Sequence, residues 1–183
     1  MKHIIHIYGA SGSGTSTLGR ALADALGLVL MDSDDYFWQP TNPPFTTKRP
    51  IGERLALMRA DIAAADMGVV ISGSLTDWGD PLMPLFTCAV RLITPTEVRL
   101  ERLRRREYAR FGARILEGGD MHGAHLVFLD WAAQYDTGDV SMRSRACHDT
   151  WEQGLSCPIL RLDGTQPLDE LVAAVRRAIG EAD

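Results

Sequence analysis

Apolar residues recur along this chain in short runs, which are typical of buried strands, and in stripes three or four residues apart, which are typical of helices. The runs predict five strands, over residues 2–8, 28–31, 68–72, 87–93 and 158–162. The stripes predict helices over residues 18–26, 53–65, 97–110, 126–134, 139–151 and 167–179. Because strands alternate with helices, we expect one α/β domain over residues 1–183, a three-layer sandwich around a five-stranded parallel sheet.

A glycine-rich segment, Gly-Ala-Ser-Gly-Ser-Gly-Thr-Ser-Thr over residues 9–17, joins the first strand to the first helix. A strand, a glycine loop and a helix N-terminus in this order form a phosphate cradle, because backbone N–H groups and the helix dipole point at one spot. The candidate phosphate-binding residues are Gly9, Ser11, Gly12, Ser13, Gly14, Thr15, Ser16 and Thr17. The alternative is a glycine-rich turn that binds no ligand.

This segment departs from the P-loop pattern G-x-x-x-x-G-K-[ST] at one position. Thr15 stands where the pattern has its lysine, and Ser16 stands where it has the hydroxyl that binds magnesium. The sequence therefore predicts a phosphate site that lacks its usual ammonium group.

Acidic residues follow the second predicted strand, in the order Asp32-Ser33-Asp34-Asp35. Ligands of open parallel sheets bind outside the carboxyl ends of the strands, where carboxylates can hold Mg²⁺ or accept a proton from a hydroxyl group. The candidate metal residue is Asp34, or Asp32 in its place. Asp34 is also the candidate catalytic carboxylate. Asp32 and Asp35 are the candidate substrate residues. The alternative is that they only cap a helix or form a solvated turn.

Almost all of the basic residues are arginines, since Lys2 and Lys48 are the only lysines. The helix over residues 97–110 is the richest in arginine, and Arg102 and Arg106 lie four apart on one face. Guanidinium groups match phosphate oxygens well, so we expect these two to supply the missing charge. The alternative is a solvated helix whose arginines pair weakly with neighbouring glutamates.

Residues 36–50 form an irregular segment that combines four prolines with aromatic side chains. This composition favours either a cover over a substrate or simple packing of the loop. Arg49, in this segment, is a candidate substrate residue. So are Gly73 and Ser74, because small residues after a strand let a ligand approach the backbone.

Residues 112–123 are rich in glycine and predict the mobile part of a lid. His122 and His125 lie three apart beside Asp120, a spacing that could bind a metal. No third histidine and no cysteine accompanies them, so the sequence gives this metal site little support.

The net charge of −5 argues against a general binder of nucleic acid or of membrane surfaces. No apolar run reaches the ~20 residues that span a bilayer, and we expect no signal peptide before the first strand. The three cysteines show no metal-binding spacing, which fits a reducing compartment. We therefore expect a cytoplasmic protein.

These motifs resemble the P-loop kinases of the nucleoside-monophosphate-kinase type, adenylate kinase above all, with shikimate and gluconate kinases as cousins. The resemblance covers the full length and is strongest over residues 9–17. It implies a P-loop NTPase fold with a helical lid over about 112–138, and ATP and Mg²⁺ as cofactors. It also implies catalytic roles for lid arginines, here Arg102, Arg106, Arg143 and Arg145, and contact of Gly164 and Thr165 with the nucleotide.

The sequence thus predicts an ATP-dependent phosphotransferase, a kinase that transfers the γ-phosphate of ATP to a small acceptor. The acceptor stays open between a nucleoside monophosphate and a small hydroxyl compound, because no nucleoside-monophosphate signature lies between Gly73 and the fourth strand. The alternative is a nucleotide-binding module or an ATPase without kinase activity. The presence of Thr15 where the P-loop pattern has lysine favours this alternative.

Overall fold

The computed structural model describes residues 2–181, and a parallel sheet of five strands forms its centre. The strands are β1 (His3–Gly9), β2 (Val29–Asp32), β3 (Gly68–Ser72), β4 (Cys88–Ile93) and β5 (Ile159–Asp163). Their order across the sheet is β2-β3-β1-β4-β5, and every neighbouring pair is parallel. The predicted parallel sheet is therefore confirmed.

Helices cover both faces of this sheet. They are α1 (Thr15–Leu26), α2 (Ser33–Phe37), α3 (Ile51–Ala64), α4 (Thr96–Phe111), α5 (His122–Ala133), α6 (Arg145–Glu152) and α7 (Leu168–Ala178). Short 3₁₀ turns occupy Asp80–Leu85, Gly112–Ile115 and Gln134–Asp136. Within residues 2–181, no helix has the length and apolar character that crossing a membrane requires.

The central strand β1 separates two hydrophobic cores because its side chains alternate in direction. Ile4 and Tyr8 pack on the face that α3 and α6 cover, whereas Ile5 and Ile7 pack against α1 and α7. These two cores give the three layers that the periodicity predicts.

Two local predictions were wrong. The segment after β2 is not irregular from Tyr36 onward, because α2 runs from Ser33 to Phe37. Asp32 stabilises this short helix by accepting a hydrogen bond from the amide of Asp34 over 3.1 Å. The predicted helix from residue 139 begins only at Arg145, where the Ser144 hydroxyl caps it by accepting from the backbone amide of Cys147.

The carboxyl ends of β1, β2 and β3 meet at one edge of the sheet, where the glycine loop follows β1. β1 lies between β3 and β4, so successive connections leave to opposite sides of it. Parallel sheets bind ligands in the crevice at such a point. This edge is where the candidate site lies.

Candidate active site

The glycine loop between β1 and α1 turns back on itself through two glycines in left-handed conformations. Gly12 has φ +82° and Gly14 has φ +105°, a region that residues with side chains rarely adopt. A Cβ atom on Gly12 would also lie 2.6 Å from the carbonyl oxygen of Arg99 in α4. The backbone path of the loop therefore depends on glycine at these positions.

The first turn of α1 is open to an anion. Gly14 is its N-cap residue and offers no side-chain hydrogen bond, and the first turn contains no acidic residue. The leading N–H groups of a helix have no acceptor within the helix itself. Within residues 2–181, the buried Ser13 hydroxyl likewise has no hydrogen-bond partner. The donor set of this loop fits the phosphate groups of a nucleotide.

An open cleft of about 730 Å³ begins at this loop. The glycine loop, the end of β2, one face of α4 and the turn after β5 form its walls. The lining residues include Gly12, Ser13, Gly14, Thr15, Ser16, Thr17, Asp32, Asp34, Asp35, Arg102, Arg106 and Gly164. The structure thus brings most of the predicted site residues around one cleft.

A hydroxyl and a carboxylate meet at the base of the cleft. The hydroxyl of Ser16 donates a hydrogen bond to Oδ2 of Asp32 over 2.8 Å, while Oδ1 of Asp32 caps α2. Asp32 therefore does cap a helix, as the alternative interpretation holds, and it also reaches the glycine loop. Oxygen ligands of this kind suit Mg²⁺, so the pair fits a magnesium ion bound with the phosphates.

Asp34 extends the acidic end of the cleft. The charged groups around it are those of Asp32, Arg106, Arg110 and Arg143. Asp34 is exposed, and partial desolvation beside the cleft walls, followed by the charge of Asp32, raises its pKa above the usual range, while the three arginines oppose this rise. Partial desolvation and the charge of Asp32 also raise the pKa of Asp35, which is exposed as well. A carboxylate with a raised pKa is better suited to accept a proton.

Arg102 lies directly against the glycine loop. Its guanidinium group donates hydrogen bonds to the carbonyl oxygens of Ser13 (3.3 Å) and Gly164 (3.0 Å). A Cβ atom on Gly14 would lie 3.7 Å from Nη1 of Arg102. This guanidinium group therefore brings positive charge to the loop in which Thr15 replaces the lysine.

The two lysines lie elsewhere. The ammonium group of Lys2 donates to the carbonyl oxygen of Ile62 over 2.6 Å, at the end of α3. Lys48 is exposed and lies 5.7 Å from the centre of the Phe37 ring. Neither residue lines the cleft.

The two arginines predicted near α6 differ in position. Arg143 is half-buried, lies 5.2 Å from the ring centre of Trp131 and has Asp34 and Asp77 as its acidic neighbours. Its burial lowers the pKa of its guanidinium group. Arg145 instead pairs with Asp136 over 2.6 Å and lines a separate cavity of about 280 Å³ behind the loop. The structure brings Arg143, and not Arg145, towards the acidic end of the cleft.

Other candidate substrate residues hold the backbone in place. Arg49 donates to the carbonyl oxygens of Tyr36 and Trp38 and does not line the cleft. The carbonyl oxygen of Gly73 accepts a hydrogen bond from Nε2 of the buried His6 over 2.9 Å.

Ser74 and Thr165 also make contacts within the protein. The Ser74 hydroxyl is buried against Thr76 and His148. The Thr165 hydroxyl donates to Oδ1 of Asp163 over 2.7 Å and does not line the cleft.

The segment predicted as a lid contains Gly112–Ile115, α5 and Gln134–Asp136, and α5 packs against α4. Its ability to close stays a prediction. In the part of the chain that the structure describes, residues 2–181, no three His, Cys, Asp or Glu side chains lie close enough to hold a metal. His122 contacts the carbonyl oxygen of Ile115 through Nδ1 over 2.9 Å.

Three residues of the site were missed in the sequence. Arg110 and Phe45 line the cleft, and Arg110 could have been found because it lies four residues after Arg106 on the same face of α4. Arg99 is fully buried beneath the glycine loop and donates to the carbonyl oxygens of Thr94 (3.1 Å) and Ser11 (3.4 Å). The position of Arg99 in the sequence does not indicate its burial, since nothing in the helical pattern shows which arginine of α4 is buried.

Comparisons with known proteins agree with this architecture. The uncharacterized protein YqaC of Bacillus subtilis is 42% identical over 175 residues, which cover 96% of both chains. No family model matches the sequence. Among solved structures, a gluconokinase from Sinorhizobium meliloti has a TM-score of 0.54 at 20% identity, covering 97% of this chain and 91% of its own.

Two further solved structures are similar over the whole chain. A shikimate kinase from Bacteroides thetaiotaomicron has a TM-score of 0.55 at 17% identity, covering 97% of this chain and 98% of its own. A sugar kinase from a Janibacter species has a TM-score of 0.52 at 19% identity, and all of both chains is covered. At these identities the likeness shows the fold, which is that of the P-loop kinases. The resemblance to P-loop kinases is thus confirmed for the fold, and the specificity of adenylate kinase is not.

Proposed function

We propose that this chain, which belongs to the family of the Bacillus subtilis protein YqaC, is a cytoplasmic ATP-dependent phosphotransferase. It transfers the γ-phosphoryl group of ATP to a hydroxyl group of a small acceptor. The observation that carries the proposal is the position of Arg102. Its guanidinium group lies against an uncapped glycine loop, in a cleft that also holds the Ser16–Asp32 pair and Asp34. Neighbours of the same fold are named gluconokinase, sugar kinase and shikimate kinase, which supports a small-molecule acceptor.

In this proposal the glycine loop and α4 hold the phosphates from two sides. The backbone N–H groups of Gly12 and of residues 14–16 bind the β-phosphate, while the amide of Ser13 donates to the carbonyl oxygen of Ala10, and the dipole of α1 favours the negative charge. Arg102 and Arg106 neutralise the charge that develops on the transferred phosphoryl group. Arg102 does so at the loop itself, and Arg106 reaches the cleft from one turn further along α4.

The acidic residues at the end of β2 have two separate roles, which are metal binding and proton transfer. Mg²⁺, when bound, would neutralise phosphate charge, and Ser16 with Asp32 would hold it. Asp34 accepts the proton of the acceptor hydroxyl, which its raised pKa favours. Arg143 is a charged neighbour of Asp34 and favours the ionised form of this carboxylate. Closure of residues 112–138 over the cleft would exclude water and so suppress hydrolysis.

A transfer assay tests the proposal. Protein is first titrated with ATP and Mg²⁺ by calorimetry, and ATP labelled in its γ-phosphate is then incubated with sugars, hydroxy acids, nucleosides and nucleoside monophosphates. We expect ATP to bind and label to appear in one class of acceptor. An Asp34→Asn variant is the matched control, since it should bind ATP as before and transfer no label.

A nucleotide-binding module without transfer is the second candidate, and Thr15 is the observation that favours it. Losing the cation of a phosphate site costs several kcal/mol of transition-state stabilisation unless another group replaces it. If ATP binds and no acceptor becomes labelled, the result would support the nucleotide-binding module without transfer. Absence of ATP binding would contradict both functions.

A further inference from the structure

Arg110 is a third arginine on the cleft face of α4. It follows Arg102 and Arg106 at the same spacing of four residues, and all three side chains line the cleft. At 1.5 Å per residue, Arg110 lies about 12 Å along the helix from Arg102. It is therefore remote from the glycine loop and close to the acidic end of the cleft, where it is one of the charged neighbours of Asp34.

The guanidinium group of Arg110 lies near two aromatic rings instead of pairing with a carboxylate, and the ring centre of Phe111 is 5.9 Å from its Cζ atom. Its Cζ atom is 5.4 Å from the ring centre of Phe45, which projects from the segment between α2 and α3. Within residues 2–181, neither Arg110 nor Arg102 forms an ion pair. In a protein of net charge −5, two unpaired cations that face one cleft indicate a site for anions.

Phe45 is held in place at a cost in backbone energy. Its φ of +63° lies in the left-handed region, which is a rare conformation for an aromatic residue and a mark of functional sites. The surrounding segment maintains it through a backbone hydrogen bond from Gln39 to Thr47 (2.9 Å) and a contact between the hydroxyls of Thr41 and Thr46 (2.8 Å). Phe45 is 40% exposed and lines the cleft, so the segment presents this residue to the cleft instead of burying it.

We propose that Arg110, positioned on the ring of Phe45, binds a carboxylate or phosphate group of the phosphoryl acceptor. This inference rests on the proposed function and makes Arg110 a specificity-determining residue. Because the guanidinium group forms no ion pair within residues 2–181, its N–H groups can donate to an oxyanion while it stays beside the ring. Acceptors that bear an anionic group next to their hydroxyls are then preferred over neutral polyols and amines.

Matched acceptor pairs test the proposal in protein saturated with Mg²⁺ and the non-hydrolysable analogue AMP-PNP. Gluconate is compared with glucose, and AMP with adenosine, by calorimetry. We expect at least one anion to bind, and its neutral counterpart to bind roughly 10- to 100-fold more weakly. The two pairs distinguish a carboxylate from a phosphate monoester as the group that is bound.

Variants assign the effect to the residue. Arg110→Ala should lose most of the preference for the anion and keep its affinity for AMP-PNP, and Arg110→Lys should recover part of the preference. Phe45→Leu should weaken anion binding without removing it. Arg104→Ala, on the opposite face of α4, should match the unaltered protein in every measurement.

Several results would overturn the inference. Equal binding of anionic and neutral acceptors, or an unchanged preference for the anion in Arg110→Ala, would show that Arg110 does not bind the anionic group of the acceptor. Loss of AMP-PNP affinity in Arg110→Ala would assign this residue to the nucleotide. If AMP-PNP binds and no anion does, this inference fails alone, whereas absence of AMP-PNP binding would contradict the proposed function itself.

Discussion

The guanidinium group of Arg102 donates a hydrogen bond to the carbonyl oxygen of Ser13 over 3.3 Å, and so joins α4 to the glycine loop. We expect Arg102→Ala to lower the turnover number roughly 100- to 1,000-fold, because the main cation beside the loop is lost. Lys48→Ala should change turnover less than about twofold, since Lys48 is exposed and outside the cleft. Steady-state kinetics of the two variants provide the check, and the reverse ranking would contradict the assignment.

Restoring the missing lysine should compensate for the loss of that arginine. Thr15 is the first residue of α1, and the neighbouring Gly14 lies beside Nη1 of Arg102. We expect Thr15→Lys to raise the turnover of the Arg102→Ala variant by about tenfold, equivalent to ~1.4 kcal/mol of transition-state stabilisation. In the unaltered chain the same change should have a smaller effect, because the two cations would share one task.

Thr15→Met is the control for this rescue, since it adds length at the same position without charge. Rescue by methionine would mean that packing, and not an ammonium group, restores turnover. Equal effects of Thr15→Lys in both backgrounds would show that the two positions act independently.

The sheet and the glycine loop could be predicted from sequence because local patterns determine them. Short apolar runs specify buried parallel strands, and glycines at 12 and 14 specify a backbone that only glycine adopts readily. The shared face of Arg102 and Arg106 follows from helical geometry alone, and the structure brings both to the cleft.

The direction of side chains at helix ends and in loops could not be predicted, because partners elsewhere in the chain determine it. Arg145 turns to Asp136, which precedes it by nine residues, and this ion pair draws it away from the glycine loop. Phe45 lies in a segment that a backbone bridge between Trp38 and Lys48 closes. Neither partner shows in the periodicity of the chain.

The link between Ser16 and Asp32 predicts a specific dependence on magnesium. Asp32→Asn should raise the Mg²⁺ concentration required for half-maximal turnover by roughly tenfold, the usual effect of removing a charge beside a metal. Asparagine caps helices as well as aspartate does, so the free energy of unfolding should change by less than ~0.5 kcal/mol. Magnesium titrations and urea unfolding measure the two effects separately.

Ser16→Ala provides the comparison, because it removes the hydroxyl and leaves the cap of α2 intact. It should shift the magnesium requirement in the same direction. An unchanged requirement in both variants would remove Ser16 and Asp32 from the metal site.

The buried Arg99 predicts a large effect on stability. Its guanidinium group donates to the carbonyl oxygens of Ser11, Thr94 and Ala132, and also reaches Asp136. We expect Arg99→Met to lower the free energy of unfolding by about 3 kcal/mol, since these buried acceptors lose their donor. Urea unfolding measures the change. Arg104→Met, an exposed change in the same helix, should cost less than ~0.5 kcal/mol, and equal costs would contradict a special role for Arg99.

Two fully buried histidines predict that the protein loses stability as the pH falls. Burial lowers the pKa of His6 to about 4 and that of His148 to about 3, with the Arg91 charge adding to the shift of His148. Both remain neutral in the folded protein near pH 5, whereas their unfolded counterparts, with a pKa of about 6.5, bind protons there. Their contribution is therefore complete above about pH 6.5 and declines towards pH 4.

His6→Gln tests this linkage because glutamine retains a donor for the carbonyl oxygen of Gly73 and binds no proton. The slope of unfolding free energy against pH between 4.5 and 6 should fall by up to about 1.4 kcal/mol per pH unit, the amount that one proton contributes. Urea unfolding at several pH values gives the slope. A slope that His6→Gln leaves unchanged would mean that His6 binds its proton equally in the folded and unfolded chains.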